Sequence, residues 1–421
     1  MNKLKSLVSV FCIVFSITAT AQLGTSSPYS RFGLGDLQGN VFPEYNALGG
    51  GVTALGNSNS VNTSNPASYT SFRANSFLFS TGGLHKTTKI QNSTDKQVAN
   101  NSAFSHLTVA FPISRKLGAS IGMLPYSNIG YVLNSTIVAE NDPDYTGIAY
   151  YSGDGGISKV YFGGAYEPLK GFSVGMNASY LFGGLNRRKM LDVDDESSLD
   201  SRSNSRINLK GYYYELGLMY KKQLSDEKEV TFGLTANNNS SIRAKRTNIV
   251  ETISGANEIV KDTALSSVEW GDINLPQYIS AGLSYRNGKK WLLVADYSMQ
   301  NWADYSLLGE SDDLENSTRL SGGLQYTPEF NSVTKYYKRM QYRLGAAYSN
   351  TPLQLRGTQL KEMSVSLGFG IPVRKSRTKY DVSVTLGQRG TTDNNLIKEQ
   401  FLRFGLSVSY DGIWFVKRKY D

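Results

Sequence analysis

Large apolar residues alternate with small polar residues along most of the chain from residue 74 onward. In 172–180 the even positions carry Phe, Val, Met, Ala and Tyr, whereas the odd positions carry Ser, Gly and Asn. The runs 363–371 and 380–387 repeat this pattern. A period of two residues predicts β-strands with one apolar face and one small polar face.

The alternation predicts about fourteen strands, an even number of the kind found in bacterial outer-membrane barrels. We place these strands at 75–90, 103–113, 117–133, 158–167, 172–184, 207–223, 229–241, 275–286, 290–300, 319–326, 340–348, 361–371, 379–388 and 399–410.

Two architectures fit such strands, a soluble sandwich and a membrane barrel. A soluble surface favours Lys and Glu, but the polar faces here carry Ser, Gly, Asn and Thr. Aromatic residues gather near strand ends, as at 212–214 and 336–337, where a membrane barrel has its aromatic girdles. We therefore predict an all-β fold, an antiparallel transmembrane β-barrel in the outer membrane of a Gram-negative bacterium.

The predicted connections alternate in length. Short ones fall at 114–116, 168–171, 225–228, 287–289 and 374–377, and long ones at 134–157, 186–206, 242–274 and 301–318; the connection 327–338 breaks the rule. Outer-membrane barrels have short periplasmic turns and long outer loops. The alternation therefore predicts that both termini are periplasmic.

The residues before the first strand show neither the two-residue period of a strand nor the 3.6-residue period of a helix. The stretch 46–69 is rich in Gly and Ala, has almost no charge and closes on Asn65-Pro66-Ala67, with a short helix expected near 45–48. A barrel of about fourteen strands is wide enough to leak if empty. We therefore expect 22–74 to form a hatch that plugs the lumen of a barrel spanning 75–421.

The first residues have the pattern of a secretory signal. Lys3 and Lys5 precede the apolar run 7–17, which ends at Ala19-Thr20-Ala21. We predict a signal peptide at 1–21, removed after export. The single cysteine, Cys12, lies within it, so the mature chain is expected to have no thiol chemistry and no disulfide.

Charge and site chemistry exclude several functions. The net charge of +9 is scattered in small clusters rather than gathered in a patch, which argues against nucleic acid as a partner. His85 and His106 lack metal-ligand spacing. His106 follows Ser105, but neighbouring residues of a strand point to opposite faces, so we expect no nucleophile–base pair. We predict no catalytic residue, no metal and no cofactor.

Several stretches together resemble the FadL-type outer-membrane transporters of hydrophobic compounds. The resemblance covers nearly the whole mature chain, and its C-terminal part, 387–391 and 414–419, is similar to the branch found in Bacteroidota. Its motifs are the Gly/Ala-rich segment ending in Asn65-Pro66-Ala67, then 275–278 before Gly282, then 296–302, then 342–348 followed by Pro352.

The resemblance implies a fourteen-stranded barrel whose hatch carries an Asn-Pro-Ala box, here Asn65, Pro66 and Ala67. It also implies a lateral exit at a kinked third strand, which here contains Pro125 and Gly130. A simple bulge without a transport role is an equal alternative, because proline cannot donate to a strand ladder.

Two functions follow from the resemblance. The first is passive uptake of a small, fatty-acid-like hydrophobic molecule through hatch movement and lateral exit. The acidic loops at 192–200 and 312–313 put a fatty acid substrate in question. The alternative is a barrel that transports nothing and serves as a subunit of a larger outer-membrane complex, for protein secretion or barrel assembly. Expected partners are outer-membrane lipid together with either a hydrophobic small molecule or other outer-membrane proteins.

Overall fold

Fourteen antiparallel strands form a closed barrel wall in the computed structural model, which describes residues 24–39, 42–139, 142–193, 198–254, 258–332 and 334–414. The predicted signal peptide lies outside the described residues. The strands are β1 (Ser76–Gln91), β2 (Lys96–Pro112), β3 (Leu117–Ala139), β4 (Asp142–Leu169), β5 (Phe172–Val193), β6 (Asp200–Gln223), β7 (Lys228–Asn237 and Ser241–Ser254), β8 (Ile259–Asn274 and Tyr278–Asn287), β9 (Trp291–Gln300), β10 (Ser317–Tyr326), β11 (Gln341–Leu355), β12 (Thr358–Pro372), β13 (Lys379–Arg389) and β14 (Lys398–Ile413).

The wall closes where β14 pairs with β1, from Ile413 opposite Ser76 to Lys398 opposite Gln91. Each strand otherwise pairs with its neighbours in sequence, and the fourteen predicted strands are confirmed. β7 and β8 are each interrupted once, and their two parts continue the same position in the wall because both parts of β7 pair with β6.

The faces of the strands are reversed relative to a soluble protein. On β5, Met176 and Tyr180 are exposed on the outer face, whereas Asn177 and Ser179 are buried on the inner face. β12 repeats the arrangement with Val365 and Leu367 outside and Ser366 inside. An apolar outer belt around a polar interior is the arrangement that a lipid bilayer requires. In the described part of the chain, no helix is long and apolar enough to cross a membrane.

The long connections predicted at 134–157, 186–206 and 242–274 are wrong, because the strands continue through most of them. Cross-strand ion pairs hold these polar extensions together: Arg202 binds Glu251 at 2.7 Å on the facing strand. The extended parts of β3–β8 form a sheet that rises beyond the rest of the rim. We call it the raised sheet (127–139, 142–157, 183–193, 200–210, 241–254 and 259–274).

The remaining connections carry little regular structure. The one at 301–316 is a loop with a 3-10 turn, Trp302–Asp304, and a short strand, Ser306–Leu307, that pairs with Ile273 and Asn274. Before β1 the chain forms a 3-10 turn at Pro28–Arg31, a two-residue strand at Asp36–Leu37, a helical turn at Pro43–Asn46 and a 3-10 helix at Pro66–Ser71. We call residues 24–39 and 42–72 the N-terminal segment.

Candidate functional site in the barrel lumen

The N-terminal segment lies in the lumen, because it is buried and touches the wall on all sides. Among the described residues, ten glycines on ten strands would each place an added Cβ within 3.0 Å of the segment. We call them the glycine ring: Gly118, Gly163, Gly175, Gly217, Gly233, Gly282, Gly323, Gly345, Gly368 and Gly405. A Cβ on Gly345, for example, would come within 2.1 Å of the Gly49 nitrogen. Only the lack of a side chain permits this approach of two backbones.

The predicted Asn65-Pro66-Ala67 box lies where the segment turns against β5 and β6. The Asn65 carbonyl oxygen Oδ1 accepts a hydrogen bond from the Ala67 amide, 3.0 Å away, and caps the 3-10 helix that Pro66 begins. Asn65 Nδ2 donates to the Thr53 carbonyl at 2.6 Å and to the Leu218 carbonyl of the wall at 3.1 Å. All three residues of the box are buried. The box joins two turns of the segment to the wall, and a part in ligand binding remains a prediction.

A buried network of four charges ties the helical turn Pro43–Asn46 to the wall. Glu44 Oε1 lies 2.5 Å from Lys379 Nζ and 3.4 Å from Arg343 Nη2. Arg343 Nη1 lies 2.6 Å from Asp381 Oδ1, and Lys379 lies 3.3 Å from the other oxygen of that carboxylate. Every side chain in the network is at most 5% exposed. The network therefore fixes the segment to β11 and β13 by interactions shielded from water.

A second network holds the start of the segment to the opposite ends of β13 and β14. Arg389 donates to Glu399 Oε2 at 2.7 Å and to Asp36 Oδ1 at 2.9 Å. The Ser27 hydroxyl donates to Glu399 Oε1 at 2.5 Å, and the Thr25 hydroxyl donates to Asp36. Asp296 of β9 accepts from the backbone amides of Val52 and Thr53 at 2.6 and 2.7 Å. Charged groups thus anchor the segment at three levels of the barrel.

A cavity of about 440 Å³ remains between the two parts of the segment and the wall. Its lining mixes apolar groups, such as Trp302 and Leu353, with many ionisable ones. The basic and acidic side chains are Lys86, Arg319, Arg389 and Arg403 together with Asp36, Glu215, Asp296 and Glu362. A cavity with this lining suits a polar or charged occupant, or water, better than a hydrocarbon.

The wall is interrupted between β2 and β3. The two strands pair only from Pro112 opposite Gly118 to Leu107 opposite Met123. Beyond that point 96–106 pairs only with β1, and 124–139 pairs with β4. We call the interruption the window. The cavity reaches it, since Asn101 and Ala103 of β2 and Tyr126 of β3 belong to the cavity lining.

The N-terminal segment covers the window. Its short strand pairs with the free edge of β3, Asp36 opposite Asn128 and Leu37 opposite Ser127. The backbone N–H of Gln38 donates to the Tyr126 carbonyl at 2.9 Å. These bonds satisfy backbone groups of β3 that have no partner on β2.

The structure places Pro125 and Gly130 along the edge of this window. Pro125 follows the last paired stretch of β3, and the register between β3 and β4 shifts between Pro125 and Ser127. Gly130 exchanges hydrogen bonds with the Ser30 hydroxyl of the N-terminal segment. The sequence thus located a break in the ladder at Pro125, while a transport role for either residue remains a prediction.

His106 is buried and takes part in packing. Its ring stacks on Phe42 with centroids 3.7 Å apart, and its Nε2 lies 2.9 Å from the Ser80 hydroxyl. The expectation that Ser105 and His106 point apart is wrong: Ser105 Oγ lies 3.0 Å from His106 Nδ1. The register shift opposite Gly82 and Gly83 makes Ser105 an extra residue and turns both side chains inward. The described residues contain no group of three or more metal-ligating side chains.

Together, these features define an outer-membrane β-barrel with an occupied lumen. The model of one protein family, BamG, matches residues 3–421, so the chain belongs to the BamG family. A search of curated proteins finds no match in sequence.

Solved structures of similar fold are outer-membrane channels. The Pseudomonas putida toluene transporter TodX aligns with a TM-score of 0.58 and 15% identity over 91% of this chain and 100% of that chain. The Ralstonia pickettii toluene transporter TbuX gives 0.57 and 15% over 89% and 98%. A FadL homologue of Pseudomonas aeruginosa gives 0.58 and 11% over 89% and 99%. At such identities the similarity establishes the fold, which is that of the FadL-type barrels.

Proposed function

We propose that this protein is a structural barrel subunit of a larger outer-membrane complex, in barrel assembly or protein secretion, and that it carries no small-molecule cargo. The observation that carries the proposal is the way the lumen is closed. The buried network around Glu44 and the glycine ring hold the N-terminal segment against strands on all sides.

Movement of such a segment is costly. Separating one partner from a buried ion pair costs about 3–5 kcal/mol, because a charge is left without compensation in a poorly solvated place. Moving the segment away from β11 and β13 would separate Glu44 from both Lys379 and Arg343. A hatch that opened for each molecule of cargo would meet this cost each time. An N-terminal segment that stays in place keeps its ion pairs and avoids this cost.

The lining of the cavity also disfavours a hydrophobic cargo. An apolar ligand gains about 25 cal/mol per Å² only when it leaves water for an apolar site. Here it would also displace water from Lys86, Arg319, Arg389 and Arg403. Membership of the BamG family favours a place in a complex as well.

The test is purification from the native membrane in mild detergent, followed by mass spectrometry of proteins and extracted lipids. We expect companion proteins in fixed stoichiometry and no retained amphiphile. A solitary barrel that carries a bound apolar molecule contradicts the proposal.

We infer that the raised sheet faces the outside of the cell and that both termini are periplasmic, because the short turns lie at the other rim. Protease added to intact cells should cleave at the tips of the raised sheet, and an epitope tag at the C-terminus should stay protected. Cleavage of the tag in intact cells would reverse the orientation.

Passive transport of a small hydrophobic compound is the second candidate. The window beside the cavity favours it, since it offers a lateral route out of the lumen. Among the described residues, the N-terminal segment covers this route with Asp36–Leu37, Gln38 and Ser30. The fold shared with TodX points the same way. Uptake of labelled toluene that depends on this protein would support transport, and equal uptake with and without the protein would exclude it for that compound.

A further inference from the structure

The outer part of β8 has a free edge. On one side Ile259–Asn274 pairs with β7 along its whole length. On the other side the described residues supply only Ser306 and Leu307, opposite Asn274 and Ile273, and the amide of Leu308, which donates to the Asp272 carbonyl. The stretch from Ile259 to Gly271 therefore presents one open row of backbone groups. Natural proteins usually cover or shorten such an edge.

The register tells which backbone groups are open. Along a strand the backbone N–H and C=O of alternate residues point to alternate sides, and the carbonyl of Asp272 points to the free edge. The N–H and C=O groups of Trp270, Val268 and Ser266 therefore point to the same edge. They form a regular ladder of donors and acceptors that fits an added strand.

The edge also carries exposed apolar side chains outside the lipid belt. The apolar outer face of β6 ends at Tyr212, and Arg206 lies six positions further along the strand. Arg206, Thr247 and Val268 stand opposite one another on β6, β7 and β8. At about 3.3 Å per residue, Val268 is about 20 Å beyond Tyr212 along the strands. Lipid contact therefore does not explain why Val268 is 53% exposed. Trp270, level with Lys245 and Asn208 and about 13 Å beyond Tyr212, is 66% exposed.

The surface behind the edge is basic. Arg206, Lys210, Arg243 and Lys245 lie on the outer face of the two strands next to it, and Lys245 stands over the Trp270 ring at 5.4 Å. Lys210 and Arg243 face each other directly across the pair of strands. Asp272 of β8 stands opposite Arg243 and offsets one of these four charges, and a further acidic neighbour would be stabilising beside the other three.

We propose that the free edge of β8 binds an extended segment of a partner protein, which adds as a further strand to the raised sheet. The segment alternates apolar side chains, which pack on Val268 and Trp270, with acidic side chains that face the basic surface. Main-chain hydrogen bonds provide affinity in this mode of recognition, and alternate side chains provide specificity. This inference rests on the proposed function as a subunit, because it states where a companion protein attaches.

The test uses the full chain in its native membrane. A benzophenone side chain replaces Ser266 at the free edge or, as a matched control, Thr247, which faces outward on β7 between two paired strands. After irradiation, we expect one cross-linked companion from position 266 and none from position 247. Two variants then distinguish main-chain hydrogen bonding from side-chain packing. Val268→Pro removes one backbone N–H donor at the free edge, whereas Val268→Ala keeps that donor and removes only side-chain atoms.

Val268→Pro should abolish the cross-link and reduce the amount of co-purified companion at least tenfold. Val268→Ala should leave most of the cross-link and most of the companion. Heat-modifiable migration of both variants on gels checks that the barrel is folded. If companions co-purify equally with both folded variants, the edge proposal is wrong and the subunit proposal stands. If no companion is found at all, both fail. A cross-link to a second copy of this chain or to lipopolysaccharide also overturns the assignment of the edge to a partner protein.

Discussion

Glu44 shows how much a single residue contributes to closing the lumen. It belongs to a helical turn of only four residues, and its carboxylate meets Lys379 and Arg343, which are 335 and 299 positions away in the chain. Sequence alone gave no sign of this, because Glu44 reads as an isolated charge in a weakly charged stretch and its partners read as residues near strand starts. Only the closure of the barrel brings them together.

Glu44→Gln should therefore loosen the N-terminal segment. The amide keeps the shape but leaves Lys379 and Arg343 with one carboxylate, Asp381, between them. We expect a loss of about 3–5 kcal/mol in the free energy of unfolding and more frequent channel openings in planar bilayers.

Glu329→Gln is the matched control, since Glu329 forms an exposed ion pair with Lys338 at 3.1 Å outside the lumen. It should change neither stability nor conductance measurably. Indistinguishable traces for Glu44→Gln and the wild type would show that the buried network does not hold the segment.

At the scale of the elements, strand positions were the most predictable feature. A period of two with large and small residues on opposite faces marks a strand wherever one face meets lipid, as on β5, β12 and β13. It fails in parts of the raised sheet, where no lipid requires an apolar outer face and stretches such as 186–189 and 202–206 are polar at every position. The buried apolar side chains there, such as Ile207 and Ile242, lie on the inner face. There, pairs such as Arg202 with Glu251 stabilise the strands, and these pairs are evident only once the register is known.

The same limit applies to the lumen. The composition of 46–69 and the width of a fourteen-stranded barrel predicted a plug in the lumen, and Pro125 predicted a bulge or break in a ladder. The pairing of Asp36–Leu37 with β3 could not be predicted, because a strand of two residues leaves no period to detect.

Gly322 and Gly323 of β10 offer a direct test of the glycine ring. An added Cβ on Gly323 would lie 2.5 Å from the Leu48 carbonyl oxygen, whereas one on Gly322 would meet nothing closer than 3.6 Å. Gly323→Ala should destabilise the barrel by about 1–3 kcal/mol through overpacking. Gly322→Ala should be close to neutral, and thermal unfolding in detergent measures both. Equal melting temperatures for the two variants would contradict a close contact at Gly323.

The tip of the raised sheet should respond to acid. Hydrogen bonds from Arg188 and Arg202 lower the pKa of Glu258 from its ordinary value of 4.5. A carboxylate with a lowered pKa stabilises the folded state above its ordinary pKa, and this contribution disappears as the pH falls through the lowered value. A spin label at Ser254→Cys should keep its mobility from pH 8 to pH 5 and become more mobile only in stronger acid.

Glu258→Gln combined with the same label gives the comparison. Its label should be mobile already at neutral pH and show no further step in acid. A step of equal size in both proteins would assign the transition to another group.

At the scale of the whole molecule, the window distinguishes the two candidate functions. Leu37 and Ser127 stand opposite each other in an antiparallel pair, whose Cα separation of about 4.5–5.5 Å suits a disulfide. In the protein with Leu37→Cys and Ser127→Cys, oxidation should lock the short strand across the window. We expect the same set of companion proteins before and after oxidation, measured by native purification.

Each single cysteine variant controls for the substitutions themselves. If toluene uptake falls on oxidation of the double variant and returns on reduction, the window is a transport route and the subunit proposal is wrong.

The glycine ring also bears on how the barrel is made. The segment that fills the lumen precedes β1 in the chain, and the seam between β14 and β1 joins the last strand to the first. A segment packed against glycines on ten strands fits too tightly to slide into a finished barrel. The shortest folding route therefore curls the strands around the segment and closes the seam last. On that route the segment is a template for folding, and the wall takes its shape around it before any partner protein binds.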